Sequence, residues 1–373
     1  MDRALTATLY DGSGPVPWPD TEEARALRAW VEPLWAEGTA AWMENVHTSV
    51  YVVVCGDTVL PVTEGCEPGD AWVVSPTAHY VSYALDETRH FGALARAASW
   101  ALSLPLYGIC RVGRFDRVVY VNNWLLSTNL YPVLTREAVV AVLGCVRERW
   151  PDHAVVFRSV DLALRAELDG WLGELGARRV FARRIHVVRD NREAAKRGNN
   201  RKDAKLARES AHRPSSAVDV DRAAALYRQL YIDKYSTFNP VFSPRLIERA
   251  ARDGLWELTA WERDGRADAV IGTWTFNGVL TTPLLGYDTE RPVSEGLYRL
   301  ACRGILDRAA QHGVIANRSA GAAAFKQSRG ATSHVEVVGV FDGHLGPLRR
   351  FPWWLVQTVL DRLVVPLILA RNL

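Results

Sequence analysis

The sequence predicts an α/β (α+β) fold divided between two domains. Three features predict it: runs of β-branched residues broken by turn dipeptides, amphipathic helical segments set between those runs, and a length of 373 residues at 48% hydrophobic content, more than one ordinary core needs.

The elements follow in order. In "WPDTEEARALRAW" and the residues after it, Leu27, Trp30, Val31 and Leu34 fall at helical spacing, with Asp20 or Thr21 as the cap and two glutamates at the positive helix end. The tracts "SVYVVVCGDTVLPV" and "DAWVVSP", broken by Gly-Asp and Pro-Gly, predict hairpin strands. Helices over 88–104, 135–150 and 161–175 then alternate with strands over 118–122, 154–157 and 180–188. In the second half Asp219 or Asp221 caps a helix reaching about Tyr231, Asn239-Pro240 interrupts, and Ser243-Pro244 starts a helix that Gly254 ends. "LWELTAWERD", "DAVIGTWTF" and "VLTTPLLGYD" form an antiparallel meander, joined by "DGR" and by Asn277-Gly278. Ser294 is read as the cap of a long helix closed by Gly313, followed by strand "GVIANRS", short helix "GAAAFKQS" and strand "HVEVVGVFDG".

The order α-α-β-β-β-α-β-α-β, with "GNNRKDAKLARES" ahead of it and "NRSAGAAAFKQSRGA" within it, resembles the acyltransferase fold of the GNAT superfamily. Its two-domain relatives are most similar: Fem-type aminoacyl transferases and the aminoacyl-tRNA-dependent GNAT-like enzymes of natural-product pathways. The resemblance implies tandem GNAT-like domains, each a mixed, mostly antiparallel sheet flanked by helices. It divides the chain into a degenerate copy over 1–190, a basic linker helix over 191–215, a catalytic domain over 216–346 and an apolar helix over 347–373. The activity implied is amide formation, by transfer of an aminoacyl group from aminoacyl-tRNA to the amine of a small molecule or peptide. An acyl-CoA-dependent N-acyltransferase and a non-catalytic RNA-binding protein are the alternatives.

One departure bears on the donor. Acyl-CoA-dependent members carry a glycine-rich loop whose N–H groups hold pyrophosphate. Here the matching stretch is "GYDTERPVSEGLYR", where Asp288, Glu290 and Glu295 bring negative charge and Pro292 removes a donor. A larger phosphate-bearing carrier is favoured because the segment from Arg178 to Arg213 holds thirteen Lys/Arg against four Asp/Glu, while the rest of the chain is net acidic. With Asn200 as cap, Arg201, Lys205 and Arg208 share one helix face, and Arg197 and Lys202 flank it; a solvated helix is the bland reading.

Two clusters are candidates for the chemistry. In "DKYSTFNP", Lys234 is read as binding a carboxylate or donor phosphate, Tyr235 as relaying a proton and Asn239 as orienting a carbonyl; packing aromatics around a plain turn are the alternative. In "NRSAGAAAFKQSRG", which resembles the Lys-containing element of Fem-like enzymes, Asn317, Arg318, Ser319, Lys326 and Arg329 are read as donor-binding, against the alternative of cations at a helix C-terminus. Trp274 and Tyr287 are candidates for an acceptor pocket, Trp256 and Trp261 equally candidates for core. Aminolysis of an ester needs a positioned amine, a proton route and oxyanion donors but no protein nucleophile, in keeping with a sequence lacking GxSxG.

The five cysteines form no CxxC pair, so no metal, no disulfide framework and no tightly bound cofactor are expected, and a reducing cytoplasm fits. The N-terminus lacks the basic-then-apolar order of a signal peptide, and no apolar run reaches spanning length. His334 and His344 are read as structural, and the tail after Gly346 as a docked helix.

Overall fold

The computed structural model describes residues 5–87 and 93–366. The chain forms two compact units: unit 1 comprises Met1–Ala182, Phe238–Val241 and Val335–Arg371, and unit 2 comprises Arg183–Thr237 and Phe242–His334.

In unit 1, β1 (Thr8–Tyr10), β2 (Ser49–Cys55), β3 (Thr58–Glu64) and β4 (Val118–Val121) pair antiparallel in that order. β4 runs parallel to β5 (Ala154–Asp161), and β12 (Thr332–Phe341) closes the set antiparallel to β5. Helix α1 (Glu22–Glu37) is capped by the Thr21 hydroxyl on the Ala24 N–H and buries Leu27, Trp30, Val31 and Leu34. Helices α2 (Tyr83–Glu87) and α3 (Ala93–Val112) follow; the expected start near 88 lies outside the described residues. α4 (Arg136–Arg149), capped by Thr135, presses Val139, Val142 and Val146 onto the strands, where they meet Val53, Val119 and Phe157. α5 (Ala166–Glu174) starts five residues later than the spacing suggested, because Asp161 Oδ1 accepts from the Ala163 N–H and holds a turn there. "DAWVVSP" is not a strand: Trp72–Val74 form a turn, held by Asp70 side-chain bonds to the N–H groups of His47 and Glu67. The tail gives α12 (Pro347–Val359), which docks Trp353 against Phe115 at 4.5 Å while Leu348, Phe351 and Trp354 stay exposed.

Unit 2 has the same strand plan. β7 (Arg213–Ser215), β8 (Glu257–Arg263), β9 (Arg266–Phe276) and β10 (Val279–Tyr287) pair antiparallel, β10 runs parallel to β11 (Ile315–Asn317), and β6 (Arg178–Val188) closes the set antiparallel to β11. Each unit therefore takes its last strand from the segment that follows the other unit's fifth strand. The meander turns have the predicted chemistry, with φ positive at Asp264-Gly265 and at Asn277-Gly278, as tight hairpins require.

The segment expected to link the domains is instead part of unit 2. It forms α6 (Asn191–Ala195), capped by Asp190, and α7 (Gly198–Glu209). Asn200 is not the cap of α7. It is buried inside the helix, where its Nδ2 donates to the carbonyls of Ala194 and Arg329, so the helix starts at the preceding Gly198. α8 (Val220–Tyr227) is capped by Asp219, and α9 (Pro244–Arg252) by Ser243 with proline at its first position. The long helix α10 (Leu297–His312) begins at Gly296 in the left-handed region, with no side-chain cap, and Ser294 belongs to a short 3-10 turn before it. Leu206 of α7 lies 2.5 Å from where a Cβ on Gly296 would stand, so the packing itself demands glycine there. α11 (Ala323–Gln327) follows β11. Leu280, Leu300, Ala301, Ile305 and Ala309 form the centre of the unit 2 core.

Candidate functional site

In unit 2, β10 and β11 pair only through Val279–Ile315 and Leu280–Ala316. Beyond that point the ladder to β9 slips between Thr281 and Leu284, where Pro283 has no N–H to give, while β11 stops at Asn317. The two strands splay, and their polar groups turn toward the opening. The Asn317 Oδ1 accepts from the Ser319 N–H at 3.0 Å, Ser319 adopts φ 55°, and the backbone of His186 exchanges hydrogen bonds with Arg318 and Ser319.

Lys326 explains how this turn is held. Its ammonium is only 5% exposed and donates to the carbonyls of Arg318 at 2.6 Å, Ser319 at 3.3 Å and Ala320 at 2.6 Å. All three protons of a charged ammonium are thereby engaged with the turn, so Lys326 positions Arg318 and Ser319 from beneath. Burial, and next the positive charge of Arg318, bring its pKa down to about 7. The same two influences, burial first and then Lys326, bring His186 down to about 4. Arg318 is 7% exposed, and its Nε and Nη2 have no hydrogen-bond partner among the described residues.

The other wall is aromatic. After Tyr227, α8 continues as a wide i→i+5 helix over Arg228–Tyr235, closed by the Ser236 N–H on the Tyr231 carbonyl. Such an inserted residue rotates everything after it and is a common device at working sites. Tyr231 stacks on Tyr227 at 5.0 Å, and Tyr235 lies 6.0 Å from Tyr231. Strand β10 passes so close to α8 that a Cβ on Gly286 would stand 2.6 Å from the backbone at Leu226 and Tyr227, which keeps Tyr287 beside this helix. Tyr287, Tyr298 and Phe325 continue the wall at 6.0 and 4.9 Å. Burial, then the neighbouring phenol of Tyr287, raises Tyr235; burial raises Tyr287 and Tyr298 as well, so all three phenols keep their protons at neutral pH. Lys234 is exposed, its ammonium 5.8 Å from the Tyr235 ring centre.

The segment between β10 and α10 bonds in part to itself. The N–H groups of Glu290 and Arg291 bond to Asp288, and those of Glu295 and Gly296 to the carbonyls of Pro292 and Val293. Asp288 and Glu295 of this segment, and Asp268 of β9 beside it, are paired with cations from within the unit. Asp288 meets Arg222 at 3.0 Å, Asp268 meets Arg291 at 2.8 Å and His212 at 3.0 Å, and Glu295 meets Arg263 at 3.3 Å. His212, Asp268 and Glu295 bring ligand-type atoms within 4.8 Å of one another, but Arg291 and Arg222 already hold the carboxylates there.

Residues 189–327 match the family model described as an acetyltransferase (GNAT) domain. The chain carries a GNAT domain. The chain also superposes on the crystal structure of FemX, with a TM-score of 0.55 and 10% identity, over 91% of this chain and 99% of FemX. Lower scores are given by a tandem GNAT protein from the clavulanic acid biosynthesis pathway, at 0.43 and 9% identity over 88% of this chain and 90% of that one. The C-terminal domain of a lysylphosphatidylglycerol synthetase from Agrobacterium fabrum gives 0.44 and 13% identity over 60% and 78%. No curated protein sequence matches. The FemX superposition shows the fold across both units, and the acyltransferase type rests on the matched domain.

In the GNAT domain, the basic helix α7 is fastened by its one buried carboxylate. Asp203, 1% exposed, receives Arg329 on both oxygens at 2.6 and 3.2 Å and Arg299 at 2.6 Å. Burial alone would raise its pKa, but the two guanidiniums outweigh it and hold the carboxyl below its usual range. Arg329 is therefore committed to Asp203 and to the Phe325 ring, 3.5 Å away. With Asp203 facing inward, Arg197, Arg201, Lys202, Lys205 and Arg208 are left exposed.

Other candidates fall elsewhere. Asn239 belongs to unit 1, where its Oδ1 accepts from Trp72 Nε1 at 3.1 Å and its carbonyl from Asn45 at 2.8 Å; Lys234 and Tyr235 belong to unit 2. Trp274 is buried, 5.2 Å from Phe276, and Trp256 and Trp261 are buried too. His334 bonds to Thr332, and His344 to the His153 carbonyl. The five cysteines are free, and burial pushes the Cys66 thiol up to about 12 and Cys110 to about 11, away from nucleophilic use. The sequence reading passed over His186, Tyr231 and Tyr298, each hidden in an ordinary strand or helix pattern; the Arg222, Asp268 and His212 network joins positions that only the fold brings together. Among the described residues no helix is long and apolar enough to cross a membrane.

Proposed function

We propose that the chain forms amides by passing an aminoacyl group from aminoacyl-tRNA to the amine of a small molecule or peptide, without a tightly bound cofactor. The observation that carries the choice of donor is the loop before α10: the N–H groups of Glu290, Arg291, Glu295 and Gly296 bond within it, Pro292 has none to give, and its Arg291 and the arginines around it are paired with Asp288, Asp268 and Glu295, so these groups are already engaged where a diphosphate would need them. The exposed cations of α7 offer a long phosphate backbone what the loop withholds.

The amine and the ester carbonyl would meet where β10 and β11 part. Tyr235 and Tyr287, protonated at neutral pH, donate a hydrogen bond to the developing oxyanion or take part in relaying the excess proton of the amine. Lys234 sits at the mouth as a hydrated cation for the anionic part of a substrate. Lys326 keeps the Arg318-Ser319 turn in shape. The attacking amine forms the new C–N bond, the ester oxygen leaves as the terminal ribose hydroxyl, and the proton from the amine passes to it.

The test is amide formation by the full-length protein with a pool of charged tRNAs, with the same pool after ribonuclease, and with acetyl-CoA. Product that ribonuclease abolishes and fresh charged tRNA restores supports the reading. Product from acetyl-CoA that ribonuclease leaves untouched overturns the donor, and RNA binding without product in either arm overturns the enzyme.

A further inference from the structure

The two units carry one device twice. At the C-terminal end of the parallel fifth strand, unit 1 reads "FRSVD" and unit 2 reads "NRSAG", and the serine has φ 54° at Ser159 and 55° at Ser319. In each unit a helix follows, α5 or α11, then a positive-φ glycine and an alanine, Gly176-Ala177 or Gly330-Ala331, and then the exchanged last strand. The arginine before each serine is buried, at 3% exposure for Arg158 and 7% for Arg318.

Their surroundings differ in one respect. In unit 1 the Arg158 guanidinium is covered: Nη1 donates to Asn123 Oδ1 at 2.5 Å and to the Val73 carbonyl at 3.2 Å, and the rings of Trp72 and Tyr120 lie 5.0 and 5.7 Å away. Tyr120 is paired with Val156 just as Leu280 is paired with Ala316, so the Arg-Ser repeat sets Asn123 equivalent to Pro283. Proline has no side-chain oxygen. Unit 2 therefore lacks the acceptor that unit 1 gives to Nη1 from its own chain, and, separately, Nε and Nη2 of Arg318 have no hydrogen-bond partner among the described residues. The charges that act most on the adjoining Lys326 include two further cations, Arg318 and Arg183. A buried guanidinium without an acceptor is destabilising, and a native fold keeps such a group where something else completes it.

We propose that Arg318 is the receptor for an oxyanion of the substrate, gripping two oxygens of one carboxylate or phosphate through its Nε–Nη2 edge, and that Arg158 is the equivalent arginine of unit 1, held in place there by Asn123 and Val73. Nε and Nη2 form the side of the guanidinium that matches two such oxygens in parallel hydrogen bonds. Either donor leaves this inference intact, since it concerns the anionic group of whatever enters the splay.

The test reads binding alone. Full-length protein labelled with 15N-arginine is titrated with sodium acetate and, separately, with methyl phosphate, against sodium chloride at constant ionic strength. One arginine Nε–H resonance should shift saturably with acetate, methyl phosphate or both, which also tells carboxylate from phosphate. Arg318→Lys keeps the charge but loses the paired edge, and in it the responding Nε–H resonance should be absent while the other arginine Nε–H resonances stay unresponsive to both anions. Arg158→Lys should leave the titration as it is in the wild type. If no Nε–H resonance responds to either anion, or if the response survives in Arg318→Lys, the proposal is wrong. Should Arg318→Lys not fold, the wild-type titration decides: a saturable shift of a single Nε–H that also persists in Arg158→Lys supports the site, and none overturns it.

Discussion

Replacing Asp203 by alanine should cost far more than a change on an otherwise exposed, highly charged helix ordinarily would. The carboxylate is 1% exposed and receives three short hydrogen bonds, two from Arg329 and one from Arg299. Without it, Arg299 is exposed enough to turn to water, but Arg329 is 8% exposed and pinned over Phe325, where its remaining bonds go to the Phe325 carbonyl and the Ser328 hydroxyl. An uncompensated buried charge of this kind costs about 3–5 kcal/mol. For a unit of this size that is a fall of about 6–20 °C in melting temperature. Urea and thermal unfolding followed by tryptophan fluorescence measure it. The double variant Asp203→Leu/Arg329→Met should recover most of the loss, because an apolar pair of similar volume leaves no charge behind. The pH dependence has a defined sign: since the folded-state pKa of Asp203 lies below its usual value of 3.8, the wild-type advantage is present above that value and fades as pH falls through the folded-state pKa. A loss below about 1 kcal/mol in Asp203→Ala would refute the reasoning, since exposed ion pairs are worth that little.

Lys326→Met removes a lysine whose pKa is about 7 when folded and 10.5 when exposed, so between those values the unfolded chain binds the extra proton and wild-type stability rises with pH relative to the variant; equal slopes from pH 7 to 9.5 in chemical denaturation would show that Lys326 is not buried as described. Reversing Arg201, Lys205 and Arg208 to glutamate together should abolish RNA binding, and neutralising them singly should each lower the salt slope of log K by about 0.7–0.9, with stability within about 0.5 kcal/mol per site; filter binding across a salt series checks the first and melting the second. Unchanged RNA affinity in the triple variant would remove α7 from the proposed interface.

The β-meander of unit 2 was legible because its turns are local chemistry: Asp264-Gly265 and Asn277-Gly278 must take positive φ, and their neighbours alternate accordingly. Caps at Ser243, at Thr21 (read as Asp20 or Thr21) and at Asp219 (read as Asp219 or Asp221) were legible for the same reason, each being a bond to an N–H three residues on. Asn200 and Ser294 had equally good cap chemistry and were misread, because the first is drawn into buried bonds with Ala194 and Arg329 and the second is displaced by the packing of Leu206 on Gly296. The basic stripe could be counted from the sequence, whereas the single acid within it gave no sign that it would turn inward.

The sequence by itself determined the kind of fold, the positions of most strands and helices, and a charge asymmetry centred on the first helices of the GNAT domain. These depend on periodicity and on bonds between near neighbours. Only the tertiary structure decided what each cation does. Lys326, Arg329 and Arg318 lie within four residues of one another or a short turn apart, yet one holds carbonyls, one holds Asp203 and one has an open guanidinium edge. Their partners come from residues up to 126 positions away, and a buried charge is defined by whatever the fold brings against it.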